Sequence, residues 1–158
     1  MTQEYTIWVE NKAYPVVVSD EREALLAAKA AGRVFVALYT ENPEGKTLWE
    51  AEYLAAPEAI CPEYLERIVR RHIGLPWIIA ETNRLLIREF TPDDILQMPE
   101  EPDAWYTEEE RTADRVFYEK DKLEAYIKSQ YRFYEYGIWA VVRKADNVIV
   151  GKAGVTNL

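Results

Sequence analysis

The tightest constraint on the fold lies between residues 14 and 39, where an apolar run, a segment of helical period and a second apolar run follow at short spacing. Tyr14-Pro15-Val16-Val17-Val18 is rich in β-branched residues and reads as a strand. It ends at Ser19-Asp20, and helical period then lasts through Ala31, with Asp20 expected as N-cap and Gly32 as the stop. Val34 to Tyr39 reads as a buried strand. Strand, helix and strand at these lengths predict a βαβ unit with parallel pairing, because parallel neighbours require a crossover. The first half is therefore expected to be α/β.

Other segments are placed by the same signals. Residues 4 to 10 form a further strand-like run, and a short strand is expected near Glu52 to Ala55, after a polar turn region from Thr40 to Lys46. From Pro62 to His72, Leu65, Ile68 and Val69 recur at helical spacing. Glu63 and Glu66 come early in that helix, and Arg70, Arg71 and His72 come late, which suits its dipole. Gly74-Leu75-Pro76 stops it and marks the expected boundary between a domain over 1–76 and another over 77–158. The second half is expected to be α+β. A long strand should run from about Ile79 to Phe90. Thr91-Pro92-Asp93-Asp94 then opens a helix, with Thr91 as N-cap and Pro92 at the first helical position. The acidic stretch from Glu100 to Asp114 lacks period and reads as loop or short helix. A helix from Lys120 to Tyr136 is predicted to place Leu123, Ile127, Tyr131 and Tyr134 on one face, with Gly137 as its cap. Strands Ile138 to Arg143 and Val148 to Val155 follow, joined by a hairpin turn at Lys144 to Asn147.

Charge and composition narrow the function classes. A net charge of −9, from 28 acidic and 19 basic residues, argues against nucleic-acid binding, which draws its affinity from a basic face. The same charge would attract a cationic substrate such as an amine. No apolar run approaches the roughly 18 residues of a membrane span, so no membrane partner is expected. The opening Met-Thr-Gln-Glu-Tyr has no signal-peptide pattern, and cytoplasmic residence is expected. The lone Cys61 excludes an internal disulfide and reads as an inert thiol beside Pro62. The lone His72 makes a His-rich metal site or a nucleophile triad hard to build, and no metal is expected. Five Trp and eleven Tyr suit either an aromatic-lined cleft or a self-association surface.

Glu81-Thr82-Asn83-Arg84-Leu85-Leu86-Ile87-Arg88-Glu89-Phe90-Thr91-Pro92-Asp93-Asp94 resembles the first strand and helix of GNAT (GCN5-related) N-acetyltransferases. The branch it most resembles modifies ribosomal-protein N-termini and similar amines. The likeness continues through Tyr126-Ile127 and Gly137-Ile138-Trp139-Ala140-Val141-Val142, and ends in Ile149-Val150-Gly151-Lys152-Ala153-Gly154-Val155. It implies a partial acyl-CoA N-acyltransferase fold over about 78 residues, Glu81 to Leu158. The family's acetyl-CoA pyrophosphate is held by backbone N–H groups of a Gly-x-Gly loop opening a helix. No Gly-x-Gly spacing occurs in the 158 residues, and the family's downstream Tyr or Ser proton donor is missing too. The chain alone is therefore expected to bind no cofactor and to be inactive; acetyl-CoA enters only if a longer chain completes the domain.

Residues 14–60 carry a weaker resemblance to the C-terminal part of HAD-like phosphatases, through Val16-Val17-Val18-Ser19-Asp20 and Ala27-Ala28-Lys29-Ala30-Ala31-Gly32. The Asp-x-Asp nucleophile motif of those enzymes is absent, which leaves a non-catalytic Rossmann-like appendage as the expected character of the first half.

The GNAT resemblance places Trp105, Tyr106, Tyr118, Tyr134 and Trp139 in or beside the acceptor cleft, although each also reads as ordinary packing. Glu89 can hydrogen-bond an amine or act through water as a base. Alternatively, it is a strand-end carboxylate paired with Arg88 or a lysine. No catalytic residue is assigned. In the whole family fold a further strand covers the strand Val148 to Val155. Uncovered, that edge invites pairing with another chain, so a homo-oligomer through Val148–Val155 is expected. A binding or assembly module without catalysis is the alternative to the transferase.

Overall fold

The computed structural model describes residues 1–41, 51–98 and 107–156. They form a mixed α/β structure with two four-stranded sheets, divided into two compact units, Met1–Leu75 and Pro76–Leu158.

In the first unit, β1 (Thr2–Val9) and β2 (Lys12–Ser19) make an antiparallel hairpin. Glu10 and Asn11 turn it with φ of 49° and 64°. Two left-handed residues in a two-residue loop match the right-handed twist of the strands. α1 (Arg22–Ala30) then crosses over to β3 (Val34–Leu38), which pairs parallel to β2 with Val16 opposite Val34 and Val18 opposite Val36. The expected βαβ unit is present. β4 (Leu54–Ala55) adds parallel to β3 and α2 (Pro62–His72) follows, giving the order β1-β2-β3-β4. Alternation along the strands sends Val16, Val18, Val34 and Val36 to one face, where Leu65, Ile68 and Val69 of α2 meet them. Ala37 packs with Leu25 of α1 in a separate cluster. The central part of the sheet thus lies between two helices, and Val16–Val18 of β2 and Val34–Leu38 of β3 read as continuous apolar runs because both faces are covered there, whereas β1 is largely exposed.

One helix start differs from expectation. The N-cap of α1 is Glu21, not Asp20. The Ser19 hydroxyl accepts the Glu21 N–H at 2.9 Å, while the Asp20 carboxylate pairs with the Met1 amino group and accepts the Thr40 hydroxyl at 3.0 Å. An ammonium and a hydroxyl satisfy that carboxylate better than a helix N–H would, because a bond between two charged groups is the stronger.

The second unit is an antiparallel sheet in the order β5-β6-β7-β8. The long strand expected from Ile79 to Phe90 is instead a hairpin of β5 (Ile78–Glu81) and β6 (Leu85–Arg88). Thr82 breaks the run: its hydroxyl accepts the Leu85 N–H at 2.9 Å and its own N–H donates to the Leu85 carbonyl at 2.8 Å. Such side-chain capture of the backbone is what makes Thr-Asn a turn former. β7 (Ile138–Arg143) and β8 (Val148–Gly154) form the closing hairpin.

Between β6 and β7 lie a 3-10 helix (Pro92–Gln97), α3 (Glu108–Asp114), a 3-10 turn (Arg115–Phe117), α4 (Lys120–Tyr126) and a π-helical stretch (Ile127–Tyr134). Thr91 is the N-cap of the first, as expected, and its N–H donates to Asp94 Oδ2 at 2.8 Å. The helix expected from Lys120 to Tyr136 as one α element changes winding at Ile127. Gly137 does not cap it; Glu135 takes the left-handed position with φ of 64°. Phe90, Phe117, Leu123, Tyr131, Ala140 and Val142 form the core of this unit.

Candidate functional site

The change to π winding decides where the tyrosines point. Bonds of the i→i+5 type widen each turn, so the α-helical face expected to hold Leu123, Ile127, Tyr131 and Tyr134 does not persist. Leu123 and Tyr131 are buried, as that face requires, but Tyr134 is 54% exposed. Tyr126, Gln130 and Tyr134, four residues apart, instead line one side of a cleft.

Two hydroxyls fix the floor of that cleft. Tyr126 accepts the Ile138 N–H at 2.7 Å, and Tyr131 donates to the Ile138 carbonyl while accepting the Phe90 N–H at 3.3 Å. The first residue of β7 is thus held on both its backbone groups by consecutive turns of the helix. Gly137 permits this approach, because a Cβ there would stand 2.7 Å from the Tyr126 hydroxyl and 2.9 Å from Gln130 Cγ. Tyr126 and Tyr131 meet edge to face at 5.6 Å, and Phe117 and Tyr126 at 5.0 Å. Burial pushes both tyrosine hydroxyls above their ordinary pKa, Tyr131 far above it.

The cleft has a volume of about 580 Å³, opens to solvent and is also lined by Val116, Phe117 and Tyr136. That is within the range of roughly 300–1,000 Å³ usual for small-molecule sites. Asp114 is the only carboxylate among its described lining residues, and it is paired with Lys152 of β8. The Lys152 ammonium also sits 4.8 Å from the Phe117 ring centre and 5.1 Å from that of Tyr118. The charges at the rim therefore cancel. What remains among the described lining residues is a set of aromatic faces and the Tyr126 hydroxyl, whose oxygen accepts from the Ile138 N–H. Among the described lining residues the arrangement thus offers ring surface and neutral hydrogen-bonding groups.

The residues singled out in the sequence do not all meet here. Tyr134 lines the cleft, and its ring stands 4.9 Å from Phe133 and 6.1 Å from Tyr136. Trp139, on β7, is half-buried against the core of its unit and is not among the lining residues. Glu89 is 3% exposed just beyond β6, also away from the lining. The guanidinium of Arg88 does not serve the Glu89 carboxylate: it bonds Asp94 at 2.7 and 2.9 Å and the Glu89 carbonyl at 2.9 Å. Trp105 and Tyr106 lie outside the described residues, as does the acidic run from Glu100 to Asp103. Tyr126, Gln130 and Tyr136 also line the cleft, though none of them stands out in the sequence as a site residue. The available signal is an i, i+4, i+8 row of polar-tipped side chains, Tyr126, Gln130 and Tyr134, ahead of a Gly; such a row shares one face of a helix.

Among the described residues no cluster of three or more metal-ligating side chains occurs, and no helix is long and apolar enough to cross a membrane. No family model matches the chain, and comparison with curated proteins and with solved structures gives no match.

Proposed function

We propose that the second unit is the acceptor side of a GNAT-type N-acetyltransferase domain, active when a further segment supplies the acetyl-CoA loop. One observation carries this reading: the antiparallel order β5-β6-β7-β8 has its whole helical connection between β6 and β7, and an aromatic cleft opens where β7 begins. In the reaction the amine nitrogen attacks the thioester carbonyl of acetyl-CoA. A C–N bond forms, the C–S bond breaks, the amine loses a proton and the thiolate gains one. The cleft would contribute by holding the body of the amine, and proximity of this kind can supply several kcal/mol, up to roughly 7–11, of a two-substrate barrier. The first unit serves as a Rossmann-like appendage without chemistry of its own.

Calorimetric titration tests the reading. The 158-residue chain should give no heat with acetyl-CoA. The same chain extended by whatever its reading frame encodes beyond Leu158 should bind at micromolar strength. A reading frame that stops there, or an extension that stays silent, removes the transferase.

A second reading, an assembly module, is favoured by β8. It is the last strand of its sheet, and Val148 and Val150 are 41% and 47% exposed along it. Such an edge is a template for another strand, and a second copy of the chain is the proposed occupant. Light scattering should then give a dimer or higher assembly that Val150→Lys returns to monomer; a chain that is monomeric at high concentration rules it out.

A further inference from the structure

We infer that the cleft selects a ligand whose body is aromatic and uncharged and which carries at most one positive charge, such as an arylalkyl amine. The inference rests on the acceptor-side reading for the amine, and on the cleft alone for the body. Three independent features point the same way. Phe117, Tyr126 and Tyr134 present ring surface from three successive elements and Tyr136 from the segment before β7, and Val116 and Ile138 complete an apolar wall. Flat ring surface on several sides favours a flat guest, because offset and edge-to-face contacts add to plain burial.

Charge decides the rest. The chain is strongly acidic overall, yet the described carboxylate at the cleft, Asp114, is already neutralised by Lys152. A polyamine would need several free carboxylates here, and the described lining offers none. An anion would need Lys152, whose ammonium is engaged by Asp114 and by the faces of Phe117 and Tyr118. A single ammonium is tolerated, since tyrosine faces attract a cation without a counter-charge. The Gln130 amide and the Tyr126 hydroxyl supply neutral hydrogen bonds that fix orientation rather than charge.

The test titrates the 158-residue chain with 2-phenylethylamine, its neutral isostere 2-phenylethanol and spermidine, and follows the Ile138 amide by nitrogen-15 correlation spectroscopy. Both aromatic compounds should shift that amide saturably, and spermidine should not. Tyr134→Ala, at an exposed position, should leave the spectrum folded and weaken phenylethylamine at least about fivefold. Tyr39→Ala, an exposed tyrosine of the other unit, should leave the affinity unchanged. Spermidine binding more tightly than phenylethylamine, or no shift with either aromatic compound, overturns the inference. Aromatic binding in a protein that never takes acetyl-CoA would leave the ligand class standing while the transferase reading fails.

Discussion

Arg88 and Asp94 are nearly removed from water, with side chains 10% and 5% exposed, and they meet through two charge-assisted bonds of 2.7 and 2.9 Å. Asp94 also receives the Thr91 N–H, so one carboxylate closes the 3-10 helix and neutralises a strand residue. Taking such charges out of water costs much of what their attraction returns, and replacing the pair by apolar side chains is often neutral. Breaking it is a different matter, because the survivor is left buried and unpaired. Asp94→Ala should therefore lower stability by about 3–5 kcal/mol, and Asp94→Ala with Arg88→Met should recover a large part of the loss. Urea denaturation of the three proteins checks this. Equal midpoints for the single and double variants would show that the charge left behind is not the cause.

At the scale of elements, the π-helical stretch has a consequence for pH. Burial raises the Tyr131 hydroxyl above its ordinary pKa of 10.0, and Tyr126 is raised by the same cause. A group raised in the folded state contributes stability that is complete below its unfolded pKa and is lost as pH climbs toward the folded one. Stability should thus fall from about pH 10 upward, because the unfolded chain releases a proton that the native chain keeps. Each fully linked tyrosine steepens that fall by about 1.4 kcal/mol per pH unit. Tyr131→Phe removes its own share of this dependence and leaves that of Tyr126, at the cost of its two hydrogen bonds, about 1–3 kcal/mol at neutral pH. Urea midpoints at pH 8 and pH 11 give the comparison, and a variant as alkali-sensitive as the parent would contradict it. The same stretch shows what was readable in advance. Strand and helix segments followed from apolar period, and the parallel pairing of β2 with β3 followed from spacing. The Thr82 turn and the underwound helix did not. Both are set by hydrogen bonds, from Thr82 to Leu85 and from tyrosine hydroxyls to Ile138, which leave the apolar pattern almost unchanged. The cleft is only partly legible: Tyr134 stands out among the aromatic residues, whereas Tyr126 and Gln130 line it from the same helix without a distinguishing signal of their own.

For the whole molecule, the division of the core matters most. The cluster around Val16, Val36 and Ile68 draws only on residues up to Leu75, and the cluster around Phe90 and Tyr131 only on residues from Leu86 onward. A unit that encloses its own core and closes its own sheet meets the physical definition of a domain. Seventy-five residues fall in the size range where a single core is sufficient but marginal, since a small domain buries only about 60% of the surface its unfolded chain exposes. A fragment of residues 1–75 should therefore fold alone and unfold cooperatively with one transition in urea. The marginal core implies a low midpoint, and Ile68→Ala, which empties the contact between α2 and the sheet, should cost about 2–5 kcal/mol and leave little folded fragment. In the intact chain the same substitution should lower one unfolding transition and leave the tyrosine-reported transition of the second unit in place. Tyr131 provides that second signal, because its hydroxyl is protected only while the helix stays on β7. If Ile68→Ala shifts both transitions together, the two cores are one cooperative unit and their separate composition is no guide to how the molecule folds.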